Sequence, residues 1–240
     1  MTSFVQRVRA ENFPEKIVWT MRDTFAILIL PFIFLNTYVL SFFNLSQIHI
    51  GLADSIFRGV LFVLVCILYK NMLIQHWKFF RAAFWRSSLL VIIGAILLQV
   101  VISVTRQFLP ISGSDTTENS IDIQDIAFLS LLIVSLGPLF TALLEDIVFR
   151  YTLLHKLFIQ PLIWRIILVL LNSILFGLIH YHNFDGNVIA TISFMVAGLF
   201  LNLIYLWTGN IWHVLLIHFL NNAVLSLGGI ILLKIVSVLS

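Results

Sequence analysis

Seven apolar stretches, each close to the length of a bilayer crossing, leave this chain few folds to choose from. They lie at about 24–43, 56–74, 88–107, 126–148, 161–181, 187–208 and 211–236. In hydrocarbon every backbone N–H and C=O must be bonded within the protein, so such stretches become α-helices. About 20 apolar residues make one crossing, and the 240 residues leave little room for anything else. Only 10% of the residues are charged and 60% are hydrophobic, whereas a soluble domain is about a quarter charged. The expected fold is all-α, a polytopic transmembrane bundle of about seven spans.

The charges sort by loop. Arg7, Arg9, Lys16 and Arg22 precede the first span, Lys70, Lys78, Arg81 and Arg86 follow the second, and Lys156 and Arg165 follow the fourth. The alternate loops are poor in Lys and Arg, and the long polar loop 108–125 carries Asp115, Glu118, Asp122 and Asp125. The positive-inside rule then predicts a multi-pass cell-membrane protein with a cytoplasmic N-terminus. Lys234, near the other side, is accommodated by snorkelling. A basic balance grouped in this way sets orientation and predicts no nucleic-acid partner; the expected surroundings are membrane lipids. No small-residue cleavage site precedes the first span, so a retained helix is expected and not a cleaved signal. Cys66 stands alone inside the second stretch and reads as packing. Nothing in the pattern specifies an oligomeric state.

Repeats and Gly/Ser linkers are absent, so one integrated unit is expected. Residues 1–125 form a three-helix membrane portion with the polar loop, and 126–240 a four-helix core. The front three helices carry almost no buried charge; the rear four hold all the conspicuous polar groups.

Intramembrane ionisable residues are costly and mark function by default. Glu145, Asp146 and Arg150 lie in the fourth stretch. Residues four apart share a helix face, so Asp146 and Arg150 can pair, while Glu145 is turned about 100° away. A paired carboxylate beside a free one suits a general base; a charged helix end at the membrane boundary is the structural alternative. Phe176 and His180 also share a face, with Gly177 allowing close helix approach. His180 can ligate a metal, donate to an oxyanion, or bond a backbone carbonyl. His218 and Asn222 form a third i, i+4 pair, for which interhelical hydrogen bonding is the competing role. His213 lies about 140° around from His218 and is a poor co-ligand, and His182 falls in a polar loop. Gly137-Pro138 predicts a kink, Pro161 opens the fifth helix, and helical pattern runs past Arg150 to about Phe158.

Measured from the turn near 159–160, Glu145 and His180 sit roughly 21 and 30 Å into an antiparallel hairpin, while His218 is only about 10 Å into the last helix. Convergence requires tilt, or a connection at Thr208-Gly209-Asn210 that dips into the protein.

The ordered series E-[ED]-x3-R, F-x3-H and H-x3-N on successive hydrophobic helices resembles the CPBP family. That family joins type II CAAX prenyl endopeptidases with Abi-type proteins of bacteriocin processing and self-immunity. The resemblance covers roughly 126–236. It implies an intramembrane endopeptidase with Glu145 activating water, and with His180, His218 and Asn222 binding water or steadying the oxyanion. Asp146, Arg150 and Phe176 would support them. Asp146 stands where the family usually has a second glutamate, one methylene longer. The resemblance leaves the cofactor open between zinc, held by Glu145, His180 and His218, and none. The implied substrate is a membrane-associated peptide or protein terminus, in peptide maturation, self-immunity or CAAX-type processing. The competing classes are a non-catalytic immunity or transport protein whose polar core serves packing or partner binding, and an enzyme acting on lipid or prenyl esters.

Overall fold

The structure is a computed structural model that describes residues 3–110 and 128–239. All regular elements among them are helical: α1 (Phe4–Val8), α2 (Met21–Ser41), α3 (Gln47–Leu68), α4 (Lys70–Arg81), α5 (Phe84–Gln107), α6 (Phe128–Asp146), α7 (Leu162–Leu178), α8 (Val188–Thr208) and α9 (Ile211–Leu239). The acidic residues of the 108–125 loop lie outside the described residues. Among the described residues six helices are long and apolar enough to cross a membrane, and α7 is a shorter apolar helix. The chain is a multi-pass helical bundle.

Two boundaries differ from the hydropathy reading. The second span runs over Gln47–Leu68 and not 56–74. Its first turns carry His49, Asp54 and Arg58, which depress a hydropathy window although the helix continues through them. Lys70–Arg81 then forms a separate amphipathic helix with Met72, His76 and Phe80 buried. The fifth stretch yields only 17 helical residues, about 25 Å and short of the roughly 30 Å hydrocarbon core. Pro161 caps its start. At its end the chain tightens, with His180 N–H donating to Gly177 O at 3.0 Å, and enters a 3-10 turn at Tyr181–Phe184. Asp185 and Gly186 then take positive φ values of 49° and 84°, and Asn187 caps α8 through its side chain.

Close helix approach places the polar residues. A Cβ on Gly177 would come within 2.7 Å of the Met195 backbone nitrogen, so α7 lies directly on α8. A Cβ on Gly137 would sit 2.8 Å from Ser55 Oγ, which seats α6 against α3. Past Pro138, α6 continues without a break into π-helical winding over Ile147–His155. π winding inside a helix is uncommon and frequently accompanies function. Here it turns Arg150, Tyr151, Thr152 and His155 into protein on every side; all are buried.

The Thr208–Asn210 connection is buried. The N-terminal segment covers it: Asn210 Nδ2 donates to Val8 O and His76 O, each at 2.9 Å. Arg9 reaches the Trp207 carbonyl at 3.1 Å. This covering layer puts the connection inside the protein, one of the two arrangements that convergence of His218 requires. At the same end Glu11 lies 3.4 Å from both His76 Nε2 and His155 Nε2. Tyr205 bonds His155 at 2.9 Å.

Candidate active site

Glu145 and Asp146 occupy different environments. Asp146 is sealed at 0% exposure, while Glu145 keeps 6%. That sliver opens on a cavity of about 360 Å³ whose lining includes Glu145, Thr141 and Pro138 of α6, His180 and Asn183 beyond α7, and Asn222 of α9. Three of the motif residues thus share one cavity. His218 is not in its lining.

Asp146 holds the wall behind it. Its Oδ1 is 3.0 Å from Arg150 NH1 and its Oδ2 is 3.3 Å from His218 Nδ1. The aspartate therefore reaches both partners as charge contacts, yet neither oxygen is aligned for a hydrogen bond. Arg150, fully buried, extends the clamp. Its NH2 donates to Gly198 O at 3.4 Å, and its guanidinium lies 4.1 Å from the centre of the Phe176 ring. One buried ion pair on α6 and its π extension so touches α7, α8 and α9. Cation–π stacking is strongest where water is excluded, as here.

Phe176 separates the two histidines, with ring centroids 5.2 Å from His180 and 5.8 Å from His218. His180 Nδ1 lies 2.9 Å from the Phe176 carbonyl oxygen. A carbonyl only accepts, so Nδ1 carries the proton, and in the neutral ring Nε2 bears the lone pair. The ring stacks on Phe194 at 4.3 Å, which fixes its plane. Asn222 is anchored by donating to Pro138 O at 3.2 Å. Asn221 in turn donates to Asn222 Oδ1 at 3.3 Å.

Among the described residues no three His, Cys, Asp or Glu side chains gather with the spacing of a metal site. His218 turns its Nδ1 to Asp146 and is absent from the lining shared by Glu145 and His180. This arrangement does not fit the Glu145, His180, His218 set for zinc. His213 packs against Phe4 and Phe80, away from His218's partners.

The front helices are not free of buried charge, contrary to the hydropathy reading. Asp23 is fully buried and pairs with Lys156. More consequential for the site, α3 presents Asp54, Ser55 and Arg58 to the same cavity, and α2 adds Leu30, Ile33 and Phe34. Their i, i+4 spacing in an apolar stretch was the available signal. A hydropathy span that begins at residue 56 divides Asp54 from Arg58 and hides the pair.

Residues 127–224 match the model of the family described as type II CAAX prenyl endopeptidase, Rce1-like. The three motifs all fall inside that match. Among curated proteins and among solved structures, none matches the chain.

Proposed function

We propose, taking as premise the match of residues 127–224 to Rce1-like type II CAAX prenyl endopeptidases, that this multi-pass membrane protein hydrolyses a peptide bond with Glu145 as general base. The substrate in this reading is a membrane-associated peptide or protein terminus, and the N-terminus faces the cytoplasm. The observation that carries the reading is the common cavity of Glu145, His180 and Asn222.

In this scheme Glu145 takes a proton from a water molecule in the cavity, and the resulting hydroxide attacks the scissile carbonyl carbon. The carbonyl oxygen becomes the oxyanion, and the proton held by Glu145 passes to the departing amine. Donors aimed at developing charge in a water-poor site are usually the largest catalytic contribution. Asn222 supplies an amide N–H from its anchored position. His180 supplies one from Nε2 only when the ring is doubly protonated, because Nδ1–H already serves the Phe176 carbonyl. His218, tied to Asp146, positions α9 so that Asn222, one turn on, faces the cavity. Asp146 and Arg150 keep the four rear helices in register, and Phe176 carries the guanidinium on its face.

The test is cleavage of a lipid-anchored peptide by the purified protein in bilayer nanodiscs, with products identified by mass spectrometry. Glu145→Gln and His180→Ala should fold normally and lose peptide-bond cleavage. Retained cleavage in either variant removes the assignment, and release of a lipid or prenyl alcohol in place of a peptide redirects it to ester hydrolysis.

A further inference from the structure

The connection between α3 and α5 must run where the hydrocarbon ends. α3 has 22 residues and α5 has 24, about 33 and 36 Å of helix, so each already crosses the roughly 30 Å core of a bilayer. The 12 residues of α4 join them and are left to the headgroup layer at that end. Their sequence suits it. Residues 70–86 carry Lys70, Lys78, Arg81 and Arg86 and no Asp or Glu, whereas the connection at the other end of α3, residues 42–46, has no charge at all.

α4 has two unlike faces. Met72, His76 and Phe80 form its buried stripe. At about 100° per residue, Lys70, Ile74, Lys78 and Arg81 fall roughly opposite that stripe, and all four are exposed. At the corner into α5, Trp85 is 83% exposed, beside the exposed Phe84 and Arg86. None of the four cations makes an ion pair among the described residues. Cations interleaved with large apolar side chains are the composition that seats a helix in the interface plane, and an indole prefers the same level.

We propose that this face of α4, with Trp85 and Arg86, is a binding surface for anionic phospholipid headgroups, and that the bound lipids steady α9. Four cations with no acid among them fit a phosphodiester that keeps its negative charge. A zwitterionic headgroup suits them less, because its own ammonium offsets the phosphate. The effect reaches α9 through the buried stripe. His76 Nδ1 accepts the Ile211 N–H at 3.1 Å, and His76 O accepts from Asn210 Nδ2 at 2.9 Å. Trp212 Nε1 donates to Leu73 O at 2.8 Å. α4 therefore grips the first turn of the helix that carries His218 and Asn222. Lipid binding of this kind is independent of peptide cleavage.

The experiment reads Trp85 fluorescence in phosphatidylcholine bilayers that contain a small fraction of one quencher lipid, brominated phosphatidylglycerol or brominated phosphatidylcholine. The Trp85 signal is the difference between the full-length protein and its Trp85→Phe variant. One basic residue at an anionic membrane surface is worth roughly fivefold in binding, so the phosphatidylglycerol probe should quench at least about fivefold more per mole. With Lys70, Lys78, Arg81 and Arg86 all changed to Gln, the ratio should fall to within about twofold. Salt at about 1 M, where the Debye length is about 3 Å, should lower the ratio with no substitution in the patch. Replacing phosphatidylcholine by phosphatidylglycerol should raise the melting temperature of the parent by a few degrees and leave that of the fourfold Gln variant unchanged. Equal quenching by the two probes in the parent overturns the lipid surface, and so does a ratio indifferent to salt. A ratio that survives in the fourfold variant overturns its placement on α4. Preferential quenching with no rise in the parent's melting temperature overturns the link to α9.

Discussion

Glu145 and Asp146 are neighbours in sequence, yet their carboxylates face different media. Glu145 borders the cavity, whereas Asp146 is sealed between Arg150 and His218, 3.0 and 3.3 Å away. The rotation of about 100° between adjacent helical residues produces this division. It separates a carboxylate that borders the cavity from one enclosed by partners, and the two should respond differently to substitution.

Asp146→Ala should leave the Arg150 charge buried without a partner. Breaking a buried pair in this way costs about 3–5 kcal/mol, so the variant should melt early or fail to accumulate. Asp146→Glu, one methylene longer, should reach both partners with better alignment and match or exceed the parent stability. Glu145→Gln should leave the melting temperature nearly unchanged while cleavage falls about 10²–10⁴-fold, the usual contribution of a general base. Thermal unfolding in detergent alongside product counting checks all three. A stable Asp146→Ala protein would remove the clamp from the argument.

Gly177 tests how helix contact sets His180. A methyl group there meets the Met195 backbone nitrogen at 2.7 Å, so α7 and α8 must separate. Overpacking of this kind costs about 1–3 kcal/mol. His180, three residues on, would move with α7. Gly177→Ala should therefore lower both stability and kcat, whereas Gly228→Ala, with open space at its Cβ, should change neither.

What the sequence made readable was the chemistry carried by spacing within a helix. Asp146 with Arg150 and Phe176 with His180 are i, i+4 pairs that touch, whereas His218 and Asn222, equally spaced, face different partners. Less readable was what depends on how helices end or meet. The burial of Thr208–Asn210 under Val8 and Arg9 is a contact across about 200 residues, and no local pattern announces it. The π winding after Asp146 leaves no mark in hydropathy, because an apolar segment buried on every side has no periodicity to read. Asp54 and Arg58 were masked differently: charge at the start of a span looks like loop until a partner cavity gives it a reason to be inside.

Acidification should act first on the N-terminal segment. Glu11 is partly buried, which raises its pKa. The His76 ring 3.4 Å away, the His155 charge and the Tyr151 hydroxyl outweigh that and hold it below the usual 4.5. A carboxylate with a depressed folded pKa stabilises the fold fully above its unfolded value, and loses that contribution as pH falls through the folded one. The melting temperature of the parent protein should exceed that of Glu11→Gln by a constant margin from pH 8 down to about 5, and the margin should close below about 4.5. A margin independent of pH would mean that Glu11 contributes through packing and not charge.

Asn222 and His218 stand one turn apart on α9 and should fail in different ways. Asn222 lines the cavity and is anchored at 3.2 Å to Pro138 O, while His218 faces the buried Asp146. Loss of one oxyanion donor costs about 10²–10³ in kcat, and a partly exposed amide contributes little to stability. Asn222→Ala should therefore lower kcat by about that factor, with KM and melting temperature close to the parent's. His218→Ala removes a contact from a sealed carboxylate and opens a void beside Phe176. Its melting temperature should fall, and kcat and KM should worsen together because the whole of α9 shifts. His218→Gln, which restores a donor toward Asp146, should recover stability and much of the activity. If His218→Gln is instead as inactive as Glu145→Gln at parental stability, the histidine ring itself takes part in the reaction and is more than a tether for α9.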